Sequence, residues 1–172
     1  MANTSPIIYL SKYFPVAEKI SIASFIGGYF LRLMNVPAGN DIVILSLSFL
    51  SGIYFLSAYV PVKTSGENLA KQPFGFIPLL TQNILPKVFG IGLSVGVTGI
   101  LFTLLQWNGF REMLTIGFTA LSAASFLAFL FTIKDEESRK AFEPRLFRSL
   151  LIILIQSYFL WLYGLHDPAT IN

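Results

Sequence analysis

Arg32-Leu33-Met34-Asn35-Val36-Pro37-Ala38-Gly39-Asn40-Asp41 separates two apolar runs, and its reading decides the fold. An amide, a proline, a glycine and an acidic residue follow one another in a few positions, and both flanks are long and nearly free of charge. A second stretch has the same shape: Thr103-Leu104-Leu105-Gln106-Trp107-Asn108-Gly109-Phe110-Arg111-Glu112. A shift of about 71 positions places Gly28 on Gly99, Leu33 on Leu104, Asn35 on Gln106, Asp41 on Glu112 and Phe55 on Phe126. Few letters are shared, but self-similarity at a fixed period is how tandem units show themselves. Each unit, 19–60 and 87–133, reads as two helices and a short turn: a transmembrane hairpin.

Composition agrees. The 172 residues are 54% hydrophobic and 12% charged, with a mean hydropathy of +0.68. Soluble domains carry about 25% charge. Apolar runs approaching the roughly 20 residues that span a bilayer recur along the chain. The expectation is an all-α, polytopic membrane bundle in one domain. Its five spans are about Ile20–Met34, Ile42–Val60, Val88–Trp107, Glu112–Ile133 and Leu146–Leu165. Residues 1–18 are expected at the interface, interrupted by Lys12 and Pro15, and not to be a cleavable signal peptide. Residues 61–86 read as a cytoplasmic or interfacial loop, with Pro73–Leu85 lying on the membrane. Residues 134–145 read as a charged, solvated loop.

Lys12, Lys19, Lys63, Lys71, Lys87, Lys134, Arg139, Lys140, Arg145 and Arg148 fall on one side of this arrangement. Arg32 and Arg111 fall on the other, which completes the twelve basic residues. Cationic loops resist translocation, so the richer side is expected in the cytoplasm, with the N-terminus inside and the C-terminus outside. The net charge of +3 is read as topology control rather than nucleic-acid binding.

Small residues recur at four-residue spacing: Ser24 and Gly28, Ser48 and Gly52, Gly92 and Gly96, then Ala120, Ala124 and Ala128. In lipid such stripes let helix backbones approach and gain dispersion contacts. The fifth span has no comparable stripe and is expected at the bundle edge or against another subunit. Arg32, Gln156, Trp107 and Trp161 are the candidates for contact with a partner or with lipid. Asp41 and Glu112 read as helix caps. No cysteine is present and His166 is the one histidine, so thiolate sites and paired-histidine sites within one chain are excluded. No nucleophile–base pair, phosphate loop or metal spacing is visible, and no span interior as drawn holds a carboxylate. Catalytic residues, cofactor and metal are therefore expected to be none. Membrane lipid and other membrane subunits are the expected partners.

Arg32-Leu33-Met34-Asn35-Val36-Pro37 with Ser57-Ala58-Tyr59-Val60-Pro61, and Leu104-Leu105-Gln106-Trp107-Asn108-Gly109 with Glu112-Met113-Leu114, resemble the hairpin of GldL-like inner-membrane proteins of the Bacteroidetes gliding and type IX secretion machinery. The resemblance covers about half the chain and implies a bacterial inner-membrane hairpin scaffold. In the motor-active member of that family a buried Glu sits in the second helix. The matching stretches here, Phe49-Leu50-Ser51-Gly52 and Thr119-Ala120-Leu121-Ser122, hold no carboxylate. The expected function is thus a non-catalytic subunit or scaffold of a larger membrane complex, the alternative being a small multi-pass transporter or channel.

Overall fold

The computed structural model describes residues 6–60, 84–132 and 136–165. Six helices follow in order: α1 (Pro6–Ser11), α2 (Phe14–Leu33), α3 (Ala38–Ser57), α4 (Leu85–Leu104), α5 (Phe110–Thr132) and α6 (Glu136–Leu165). The described residues form a helical bundle. Of the expected loop at 61–86, residues 61–83 lie outside them, while Leu85 and Pro86 are not loop but the first turn of α4.

Four helical segments are long and apolar enough to cross a membrane: Ala38–Ser57, Leu85–Leu104, Phe110–Leu130 and Glu143–Tyr163. The fifth expected span, in α2, is not among them. It has matching length, but Glu18, Lys19 and Arg32 lower its hydropathy. Two boundaries also differ from the sequence reading. Pro15 does not interrupt the N-terminal segment. It sits in the first turn of α2, where a missing N–H costs no hydrogen bond, so the helix begins at Phe14 and takes in Glu18. The charged stretch expected as a loop from 134 to 145 is helical from Glu136, with Pro144 inside α6. Glu, Lys, Arg and Ala are strong helix formers, and the sequence reading weighed their charge over their propensity.

Antiparallel neighbours follow one another from α2 to α5, and α6 lies against α5 and α4. The centre is α4, with 56% of its span buried against 17% for that of α6. The core face of α3 is Val43, Leu47, Leu50 and Tyr54, at alternating spacings of four and three. It meets Leu85, Phe89, Leu93 and Val97 of α4, whose other side meets Leu114, Leu121, Ala124 and Ala128 of α5.

Both hairpin turns close in the same way. In the first, Asn35 N–H donates to Arg32 C=O (3.0 Å) and Val36 N–H to Leu31 C=O (3.0 Å). In the second, Gln106 N–H donates to Thr103 C=O (3.2 Å) and Trp107 N–H to Phe102 C=O (2.9 Å). This crossed pair of bonds is the Schellman ending, which requires a left-handed residue just past the helix. Asn35 and Gln106 both hold that place, each at φ 56°. In the second turn Trp107 also packs edge-on to Phe102, with ring centroids 5.2 Å apart. Gly28 lies against Ile42 and the Val43 amide, and Gly99 against Met113 and the Leu114 amide. These are corresponding positions one turn further down each hairpin.

Candidate functional site

At the end of the bundle away from these turns, the starts of α2, α4 and α6 meet the end of α3. Glu18, one turn into α2, faces inward and is only 8% exposed. Its Oε2 pairs with Arg148 Nη2 at 2.7 Å, and its Oε1 accepts from the Tyr54 hydroxyl at 2.9 Å. Arg145 stands one helical turn before Arg148, so the two guanidinium groups share a face of α6. Both line a cavity of about 260 Å³, together with Glu18 and Tyr54. Its apolar wall includes Ile53, Phe89 and Leu93. Arg145 Nη1 is buried and has no hydrogen-bond partner among the described residues. A burial this polar is stable only because the carboxylate is paired and doubly hydrogen-bonded.

The sequence reading missed this cluster. It began the first span after Glu18 and so found no carboxylate inside a span. It also counted Arg145 and Arg148 as positions for topology alone. One signal was available: Glu18 is the only acidic residue among the first forty, in a segment whose other charges are basic. The i, i+3 spacing of Arg145 and Arg148 was another.

The remaining polar side chains pin helices together. Ser51 of α3 bonds to Ser94 Oγ (2.8 Å) and Thr98 Oγ1 (3.0 Å) of α4. Ser125 of α5 meets Ser149 of α6 at 2.9 Å. Arg32, expected to contact a partner or lipid, reaches across to the second hairpin instead. Its Nη2 donates to the Leu104 carbonyl at 2.6 Å, at the C-terminal end of α4, where unsatisfied carbonyls and the helix dipole favour a cation. Gln156, expected to seek a partner from the middle of the fifth span, is fully buried between helices. It presses against Gly96 and Gly117, where α4 and α5 approach too closely for a side chain at Gly117. Its Nε2 is 3.5 Å from the Leu114 carbonyl. Trp107 and Trp161 are exposed.

The packing stripe is partly displaced. Gly28, Gly92, Gly96, Ala124 and Ala128 are buried and Ala120 is half-buried, but Ser24, Ser48 and Gly52 are exposed. Gly52 has no heavy atom within 4 Å of where a Cβ would stand. On α3 the close-contact position is Ser51, one residue from the expected stripe, and that offset turns the face by about 100°. On α5 the tightest contact is at Gly117, which four-residue spacing from Ala120 does not reach. Asp41 and Glu112 lie in the first turns of α3 and α5. Asp41 does not occupy the cap of α3: that position is Pro37 and makes no side-chain bond, and Asp41 stands in the first turn, where the helix dipole favours a carboxylate.

Among the described residues no group of His, Asp and Glu could hold a metal ion. Comparison of the chain with family models, with curated proteins and with solved structures finds no match.

Proposed function

We propose that the protein is a multi-pass subunit or scaffold of a larger bacterial inner-membrane complex, without catalytic activity of its own. One observation carries the reading: Ser51, Ser125 and Arg32, polar side chains between the helices, are engaged in holding those helices to each other. Ser51 is closed onto Ser94 and Thr98, Ser125 onto Ser149, and Arg32 onto Leu104. In hydrocarbon such bonds contribute about 0.6 kcal/mol each on average, enough to fix register without forming a route for solutes. The outward face of α6, with Phe147, Leu150, Leu154 and Trp161 exposed, is free for lipid or a neighbouring subunit.

The same proposal takes α2 as a fifth span, with the N-terminus in the cytoplasm and two tandem hairpin units. Support for the tandem units is the shared Schellman ending and the shared glycine contact at a constant offset. Support for the fifth span is the length of α2, 20 residues, and its close packing along α3. Its charges lie near the ends, where long side chains reach water or a paired group. The GldL-like resemblance fits a hairpin scaffold, and neither matching helix position carries a carboxylate.

Purification from native membranes in mild detergent, with mass spectrometry of what accompanies the chain, tests the assignment. A membrane protein recovered in fixed ratio is the expected result. The transport reading is favoured by one feature, the polar cavity beside Glu18. Recovery of the chain alone, together with solute flux in liposomes, would shift the assignment to it.

A further inference from the structure

We propose that the cavity between α2, α3, α4 and α6 binds a phosphate group carrying one negative charge, with Arg145 as its principal ligand. The inference goes beyond the subunit role; its lipid arm rests on the proposed cytoplasmic placement of this end of the bundle. It starts from charge. Arg145, Arg148 and Glu18 line the cavity, and the carboxylate is already committed to Arg148 and Tyr54. One positive charge is left over, and it belongs to Arg145. A guanidinium has five donors in a fixed fork and does not give up its proton, so it cannot escape an unpaired burial by becoming neutral. Yet Arg145 Nη1 is buried without a partner among the described residues. A single phosphate monoanion supplies the missing charge and acceptor oxygens, and planar bidentate recognition of phosphate is what arginine does best.

The cavity's shape narrows the ligand further. Its space of about 260 Å³ is partly open and is walled by Ile53, Phe89 and Leu93 beside the charged cluster. That combination suits a phosphate joined to an apolar body better than a fully hydrated ion. Among the described residues, Lys12, Lys19 and Lys87 lie at the same end of the bundle as Arg145 and Arg148, and Arg32 and Arg111 lie at the other. Basic pockets between membrane helices at the cytoplasmic surface are sites for anionic lipid headgroups. A phosphodiester lipid with no cation of its own in the headgroup and free phosphate both supply the net negative charge that Arg145 lacks, and they differ in whether the apolar wall is used.

The test is thermal unfolding of the purified full-length chain in zwitterionic detergent micelles, followed by intrinsic tryptophan fluorescence. It is titrated separately with phosphatidylglycerol, phosphatidylcholine and inorganic phosphate. A ligand that binds only the folded state raises the unfolding temperature with its concentration. Phosphatidylglycerol is expected to raise it and phosphatidylcholine not to. Arg145→Gln is expected to weaken the apparent affinity about tenfold or more, the worth of a charge-assisted pair, and Arg145→Lys to retain part of it. A shift with inorganic phosphate that Arg145→Gln abolishes, unimproved by the lipid, supports the site and assigns it to the free anion. Should Arg145→Gln not fold, Ser57→Phe fills the cavity and leaves the charges: loss of the shift supports the proposal, and retention overturns it. Equal shifts with both lipids, or equal shifts in wild type and Arg145→Gln, overturn it as well.

Discussion

Glu18 illustrates how a single carboxylate is made tolerable inside an apolar bundle. Its side chain is nearly enclosed, whereas Arg148 keeps 40% of its own exposed, so the pair is only half withdrawn from water. Removing one partner of a fully buried pair costs about 3–5 kcal/mol. With Arg148 partly hydrated, Glu18→Gln should cost less, about 0.5–3 kcal/mol by the usual range of coupling between contacting residues. The double variant Glu18→Gln/Arg148→Met should recover part of that loss in denaturant titrations. Additive losses would show that the two do not act as a pair. Gln156 is the opposite case. Its Oε1 is buried with no hydrogen-bond partner among the described residues, and the bond from its Nε2 to Leu114 is long. Replacing an imperfectly satisfied polar group by an apolar one of similar shape is close to neutral. Gln156→Met should therefore leave the melting temperature unchanged or raise it, which calorimetry in detergent can decide. Neither role was legible in the letters. A charge or amide in a sequence announces that it needs a partner and does not say which helix will supply one.

The hairpin turns show what is legible at the level of an element. Amide, proline, glycine and acid in close succession read correctly as helix–turn–helix, because each constrains the backbone locally. What the letters did not give was the hydrogen-bond closure, which depends on Asn35 and Gln106 being left-handed. Asn tolerates that region and a β-branched residue does not. Asn35→Gly should change stability by only a few tenths of a kcal/mol and Asn35→Val should cost about 1–2 kcal/mol. Equal effects would mean that the turn relaxes to another form. The packing stripes were legible in kind and mostly in place, with Gly28, Gly92, Gly96, Ala124 and Ala128 buried, but on α3 the contact face lies one residue away, about 100° around the helix. Ser51 therefore takes the contact that Ser48 and Gly52 were expected to make. The contact at Gly117 gives a direct test: a Cβ there would stand 2.8 Å from Gly96 Cα. Gly117→Leu should cost at least the roughly 1–3 kcal/mol of an overfilled core. An unchanged melting temperature would mean that α4 and α5 separate freely.

For the whole molecule, hydropathy makes the helical bundle plain because every backbone polar group in lipid must be satisfied within a helix. It left α2 ambiguous, since charge at a helix end can be hidden by partners that composition does not reveal. Orientation rests on basic residues alone and is open to experiment. The chain has no cysteine, so single cysteines report without background. Ala38→Cys, at the exposed start of α3, and Asn108→Cys, in the exposed second turn, should react with an impermeant thiol reagent in intact cells, and Lys87→Cys should not. The reverse pattern would invert the topology.

The ion pair between α2 and α6 joins the first long helix to the last, and this has a consequence for synthesis. Glu18 leaves the ribosome early, and its cation comes only after both hairpins have been made. Until then an unpaired carboxylate resists entry into hydrocarbon. The start of α2 is therefore expected to wait at the membrane surface while α3, α4 and α5 insert, until Arg148 arrives to draw it into place. Assembly acquires a final locking step, timed by the distance along the chain between two charges. A nascent chain halted before Arg148 should leave the segment around Glu18 open to protease, and extension past Arg148 should close it.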